Sequence, residues 1–208
     1  MNLAKKLLLL GGLVVFLLTG CLKKEPIITK QSVEQRPAWV ETKQFESKHY
    51  VYFTGSFRID LHNPSFAYSR ARKQFYRYLE QQADIILEPI KGVVSKEYFV
   101  GVKRKFVEFV SAELMLDVRR EKTVYWEKVV FNNAGQSVEG YDYFVLLRLE
   151  KLALRRVQKE FIYKQYHLAK HLGKSLLYNQ FPLCFDKLTQ LQQLDLKQQK
   201  MLPNDLVL

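Results

Sequence analysis

Apolar positions recur at spacings of three and four over residues 64–87, through Phe66, Ala67, Ala71, Phe75, Tyr78, Leu79, Ala83, Ile86 and Leu87. Arg70, Arg72, Lys73, Arg77 and Glu80 fill the other side, and this pattern predicts an amphipathic helix. Asn63 suits its N-cap, Pro64 its first position, and Pro89 ends or kinks it. The same spacing returns over 97–116 through Phe99, Val102, Phe106, Phe109, Val110 and Leu114. A long helix is expected over about 151–178. Leu154, Val157, Phe161, Leu168, Leu172 and Leu176 mark one side of it; Lys151, Arg155, Arg156, Lys159, Lys164 and Lys170 form a basic face. "NQFP" at 179–182 breaks it, and residues 185–202 predict a last, Gln-rich helix before a tail at Pro203.

Two stretches carry strand character. "HYVYFTGSF" at 49–57 is rich in β-branched and aromatic residues, which predicts a strand over 50–54 broken by Gly55. Residues 118–150 read as a hairpin around the turn signal "NNAGQ". Its second strand, 141–150, places Tyr141, Tyr143, Val145, Leu147 and Leu149 on one face. "IKGVVS" fits either a short strand or a continued helix. The fold class is α+β: a small antiparallel sheet packed by two or three helices, followed by a long C-terminal helical extension. The domain spans 37–150, opening at Pro37 with Trp39 docked on the core, and the extension covers 151–208.

The N-terminal segment differs in kind. Lys5 and Lys6 precede an apolar run over 7–18, interrupted only by Gly11 and Gly12. That is about 12 residues, against roughly 20 for a membrane-spanning helix. A basic start, a short apolar run and small residues after it describe a secretory signal over 1–20. Leu18-Thr19-Gly20-Cys21 resembles the bacterial lipobox, which implies cleavage before Cys21 and lipidation of its thiol. The competing reading is a short uncleaved anchor with an incidental cysteine. Two or three acyl chains hold a protein on a bilayer almost permanently. Leu22 in place of Asp points, by the enterobacterial sorting pattern, to the outer membrane. Residues 21–36 are polar and aperiodic, and read as a tether.

The formal net charge is +12, with 33 Lys and Arg against 21 Asp and Glu, and falls to about +10 once the signal leaves. Export removes nucleic acid as a partner, leaving anionic lipid, lipopolysaccharide phosphate or acidic protein. The basic residues are scattered at helix-surface spacing, as on an ordinary solvated face. With Cys21 acylated, Cys184 in "FPLCFD" has no internal cysteine to pair with; a buried inert thiol is expected, with an intermolecular bridge as the alternative.

Catalytic patterns are sparse. The sequence has no Gly-rich phosphate loop outside the signal and no G-x-S-x-G elbow. His167 and His171 sit at i and i+4, a spacing that can seat a metal, but in a basic run. Asp142 alternates toward solvent; Glu80, Asp84 and Glu88 share a helix face flanked by Arg77 and Lys91, a solvated salt-bridged surface. No cofactor, metal or catalytic residue is expected.

The order of "RPAWV", "YVYFTGS", a helix with "AYSRARKQFYRYLEQQ", a further helix, and a hairpin closing on "YDYFVLLRLEK" resembles a known arrangement. It is similar to the small bacterial lipoprotein family that includes the flagellar outer-membrane lipoprotein FlgP, over residues 37–150. The resemblance implies an α+β domain and a non-catalytic role in the envelope, in ring assembly or in support of a machine such as the flagellum. The chain departs from the family in its Tyr, Phe and Arg on the first helix and in its longer C-terminal extension. The expected protein is therefore a structural or assembly lipoprotein, contacting envelope proteins or itself through Arg155, Arg156 and Lys159. The alternative is a periplasmic module for a lipid or glycan, with Trp39 or Trp126 as a stacking surface.

Overall fold

The strand that starts at Tyr50 does not stop at Gly55. In the computed structural model, which describes residues 26–60, 63–120, 122–133 and 136–198, it continues as one strand to Ile59. The expected signal 1–20, the expected lipidation site Cys21 and the expected tail at Pro203 lie outside the described residues. The elements are β1 (Ile27–Gln31), a 3-10 turn (Ala38–Glu41), β2 (Gln44–Glu46), β3 (Tyr50–Ile59), α1 (Ser65–Ile86), α2 (Glu88–Lys91), α3 (Lys96–Arg120), β4 (Thr123–Asn133), β5 (Gln136–Glu150), α4 (Lys151–His171), α5 (Ser175–Tyr178) and α6 (Phe181–Gln198). The fold is α+β, with one antiparallel sheet in the order β1-β4-β5-β3-β2.

Gly55 is a close-approach residue and not a strand breaker. A Cβ there would overlap the backbone of Ala67 and Ala71, so α1 crosses β3 at the one position without a side chain. The Gly, Ala and Ala together let the helix sit down on the strand, and Phe53 then meets Phe75 and Tyr78 at ring distances of 5.6 and 5.5 Å. At the start of α1, the Asn63 Oδ1 accepts the Ser65 N–H at 2.9 Å, the capping bond its sequence position implies. "IKGVVS" resolves as the end of the short helix α2 and a turn.

The sheet's two faces are covered differently. Val51, Phe53, Tyr143, Val145, Leu147 and Leu149 point to the helices, as the alternation in 141–150 predicts, and join one cluster reaching Leu154, Phe161, Cys184 and Leu188. The segment after Glu150 thus shares the core of the segment before it. On the opposite face Tyr52, Tyr125 and Leu146 are covered by Trp39 and Val40. These come from a strap that leaves β1 at one sheet edge and reaches β2 at the other. Part of the segment read as a tether is therefore sheet, with Ile27 opposite Val130 and Gln31 opposite Glu127.

The predicted long helix is two helices. It ends at His171, and Gly173 follows at φ 64°, where the left-handed backbone favours glycine. The Lys174 N–H bonds Ala169 O at 3.0 Å and the Gly173 N–H bonds Lys170 O at 3.1 Å, closing a Schellman motif. Of the six apolar residues that mark one side of the predicted helix, Leu154, Val157 and Phe161 are buried while Leu168, Leu172 and Leu176 are exposed; Gln158, Ile162 and Ala169 complete the buried row. The break 179–182 also shifts, since α6 begins at Phe181 with Pro182 in its first turn.

Candidate functional site

Of the residues expected to meet a partner, Arg155 is placed elsewhere. It is 8 % exposed, its Nε donates to Asp195 Oδ2 at 2.8 Å, and its Nη1 donates to Gln82 Oε1 at 2.7 Å and Gln158 Oε1 at 3.0 Å. It ties α1, α4 and α6 together inside the molecule. Gln158, three residues on, faces inward beside it and is fully buried. Lys151, on the same basic face, is buried too and pairs with Glu46 at 2.8 Å. Burial raises the Tyr78 phenol pKa above its usual value despite the nearby Arg155 guanidinium. Arg156 and Lys159 are exposed, as expected of surface cations.

The remaining expected positions divide the same way. Cys184 is fully buried, and burial, then the Glu88 charge, pushes its thiol up to about 12. Asp142 takes a bidentate Arg58 pair at 2.6 Å, and that bond raises the Arg58 pKa. Asp84 pairs with Lys103 at 2.7 Å, and Glu88 with Lys187 at 3.6 Å, so the acidic face is bridged. His167 lies between the rings of Tyr163 and Tyr166, and no group of three or more His, Cys, Asp or Glu that would hold a metal occurs among the described residues. Trp39 is buried between the strap that carries it and the sheet, while Trp126 is half-buried, edge-on to Tyr141.

One buried acid was not anticipated. Glu127 is 2 % exposed, accepts the Tyr125 hydroxyl at 2.8 Å and pairs with Arg36 Nε at 3.1 Å. It fastens the strap to β4, and burial with this bond raises the Tyr125 phenol pKa. The sequence signal was there: Tyr125, Glu127 and Val129 alternate on one face, so an inward Glu required a cation.

An accessible surface lies at the far end of the helices. Leu114 of α3 and Ala153 of α4 border the Tyr50–Glu150 end of the sheet. From there the two helices run on antiparallel, through Phe106 against Phe161 at 5.2 Å, to Tyr98 beneath Lys174. Sixteen residues of α3 separate Leu114 from Tyr98, about 24 Å at 1.5 Å per residue. There a cleft of about 460 Å³ opens between the turn 93–95 and the turn 173–177, lined by Val93, Val94, Tyr98, Lys174, Leu176 and Leu177. Leu176 is 73 % exposed. The Lys174 Nζ stands 5.2 Å over the Tyr98 ring, and Ser95 Oγ caps α3 by accepting the Tyr98 N–H at 3.2 Å. The "HLGKS" run, a glycine followed by lysine inside an apparent helix, was the available signal for this turn.

No helix among the described residues is long and apolar enough to cross a membrane. No family model, no curated protein and no solved structure matches this chain.

Proposed function

We propose that the chain is a non-catalytic lipoprotein, held on the outer membrane through acylated Cys21, that serves as a structural or assembly component of an envelope machine such as the flagellum. The observation that carries this reading is the leader itself: a basic start, an apolar run too short to span, and Leu18-Thr19-Gly20-Cys21. The fold supports it by its polarity. Six peptide steps join Cys21 to Ile27, at most about 20 Å of extended chain. Ile27 pairs with Val130, close to the tip of the β4–β5 hairpin, where Asn133 faces Gln136. A lipid on Cys21 would hold the hairpin end near the bilayer and point the helical end away from it.

Radioactive palmitate supplied to growing cells tests the anchor. The label is expected in the wild-type protein and absent from Cys21→Ser, with the mature chain starting at residue 21. An unlabelled protein, or one starting elsewhere, overturns the reading. For the machine, crosslinking in cells is expected to recover basal-body proteins; recovery of transport or peptidoglycan machinery instead redirects it. The second reading, a module for a lipid or glycan, has the open cleft in its favour. It loses Trp39 as a stacking surface, since that ring is in the core.

A further inference from the structure

We infer that the cleft at the helical end is a docking site for an acidic amphipathic helix of a partner protein. This deepens the reading of the chain as an assembly component and rests on it for the partner's nature. Its lining is mixed but mostly apolar: Val93, Val94 and Tyr98 on one wall, Leu176 and Leu177 on the other, with Ser95 and Ser175 among them and Leu172 exposed beside it. Exposed leucines clustered at a cleft mark an interaction surface more than a solvated one.

The charges around the cleft choose the occupant. Lys174 lines it, Lys170 and His171 close α4 beside it, and Lys91 and Lys96 flank the turn that forms its other wall. The acid nearest in sequence on that wall is Glu97 in the first turn of α3; Glu88 is drawn toward Lys187. An apolar trough with a cationic rim fits a helix that presents Leu at i, i+3 and i+7 with Asp or Glu on either side. A second copy docking by the same end would set lysine against lysine, which disfavours that occupant. The walls are held by backbone devices, the Schellman motif at Gly173 and the Ser95 cap, so the cleft is preformed and its binding needs little ordering of the chain.

The test uses the full chain in mild detergent and a fluorescein-labelled designed helix with Leu on one face and Glu flanking it. A second probe replaces each Glu by Lys. Polarisation is expected to show saturable binding of the acidic probe and at least about tenfold weaker binding of the basic one. Leu176→Asp and Lys174→Glu are each expected to weaken the acidic probe about tenfold, while Lys30→Glu, exposed on the edge strand β1, leaves it unchanged. Affinity is expected to fall between about 50 and about 300 mM salt. Equal binding of both probes, or no effect of Lys174→Glu, overturns the proposal. So does displacement of the acidic probe by phosphatidylglycerol vesicles, which makes the occupant lipid, or self-association abolished by Leu176→Asp, which makes it a second copy. Circular dichroism of each variant confirms that it is folded. The titration does not depend on acylation, so a failed palmitate experiment leaves its outcome readable.

Discussion

The first and second halves of α4 carry the same kind of residues at the same spacing and meet opposite fates. Phe161 is 3 % exposed, wedged against Phe106 and Phe109, while Leu168 and Leu172 are 48 % and 55 % exposed. At 100° per residue these leucines lie within about 20° of Phe161 around the helix axis. Their difference is therefore not one of helix face but of cover. Along the first half, α3, α6 and the sheet close over the helix; near its end the cover narrows to the side that carries Ala169, 3 % exposed, and leaves Leu168 and Leu172 outside it. The basic side of the helix repeats the lesson in reverse, for Arg155 is buried by the same crowding that leaves Lys159 in solvent. Periodicity assigns a direction to each side chain, and the neighbours decide what that direction costs.

The sharpest way to break this comparison is to remove side chains from the covered half. Phe161→Ala is expected to lower stability by about 4 kcal/mol, through lost burial and the cavity left among Phe106 and Phe109. Urea denaturation reads it directly, and a loss under about 1 kcal/mol would mean that the aromatic cluster is not packed as described.

Arg155→Met comes next. It keeps most of the side chain's volume but leaves Asp195, Gln82 and Gln158 facing an apolar tip, and about 3 kcal/mol of destabilisation is expected. Lys159→Met serves as the exposed comparison, with a change within about 0.5 kcal/mol. If the two variants behave alike, Arg155 is not the internal tie that its bonds describe.

Cys184 tests how tightly α6 seals the covered half. Its thiol is raised by burial to about 12 from an ordinary value of 9.0. The folded state therefore keeps the proton after the unfolded state has lost it. The Cys184 contribution is fully present below pH 9 and declines as pH rises toward 12, with a slope approaching about 1.4 kcal/mol per pH unit. Stability curves of wild type and Cys184→Ala are expected to converge over that window. Parallel curves would place the thiol in contact with water.

The smallest effect belongs to the uncovered half. Leu172→Ser should change stability by no more than about 0.5 kcal/mol, since the side chain is already more than half exposed. A loss of about 2 kcal/mol would mean that something covers Leu172 in the free protein, and would contradict an open end available for docking.

The elements themselves were readable from the chain. The Ala-rich stripe of α1 with its Asn63 cap, the outline of α3, the hairpin and the inward row Tyr143-Val145-Leu147-Leu149 all follow from period and turn chemistry, which are properties of neighbours in sequence. The resemblance of Leu18-Thr19-Gly20-Cys21 to a lipobox is read from the chain in the same way, because length, charge and residue order are local quantities. Gly55 was misread because its purpose is the approach of α1, and no strand pattern contains the helix that will cross it. Arg155 was misread because three of its partners lie on two other helices and on its own inner face. The cleft was hidden because its walls come from turns about eighty residues apart, at 93–95 and 173–177. Sequence alone determined which side of each element is apolar, since side-chain direction repeats with backbone geometry. Tertiary structure alone decided which apolar sides are covered and which charge is enclosed, since burial depends on the reach and placement of elements that are distant in the chain.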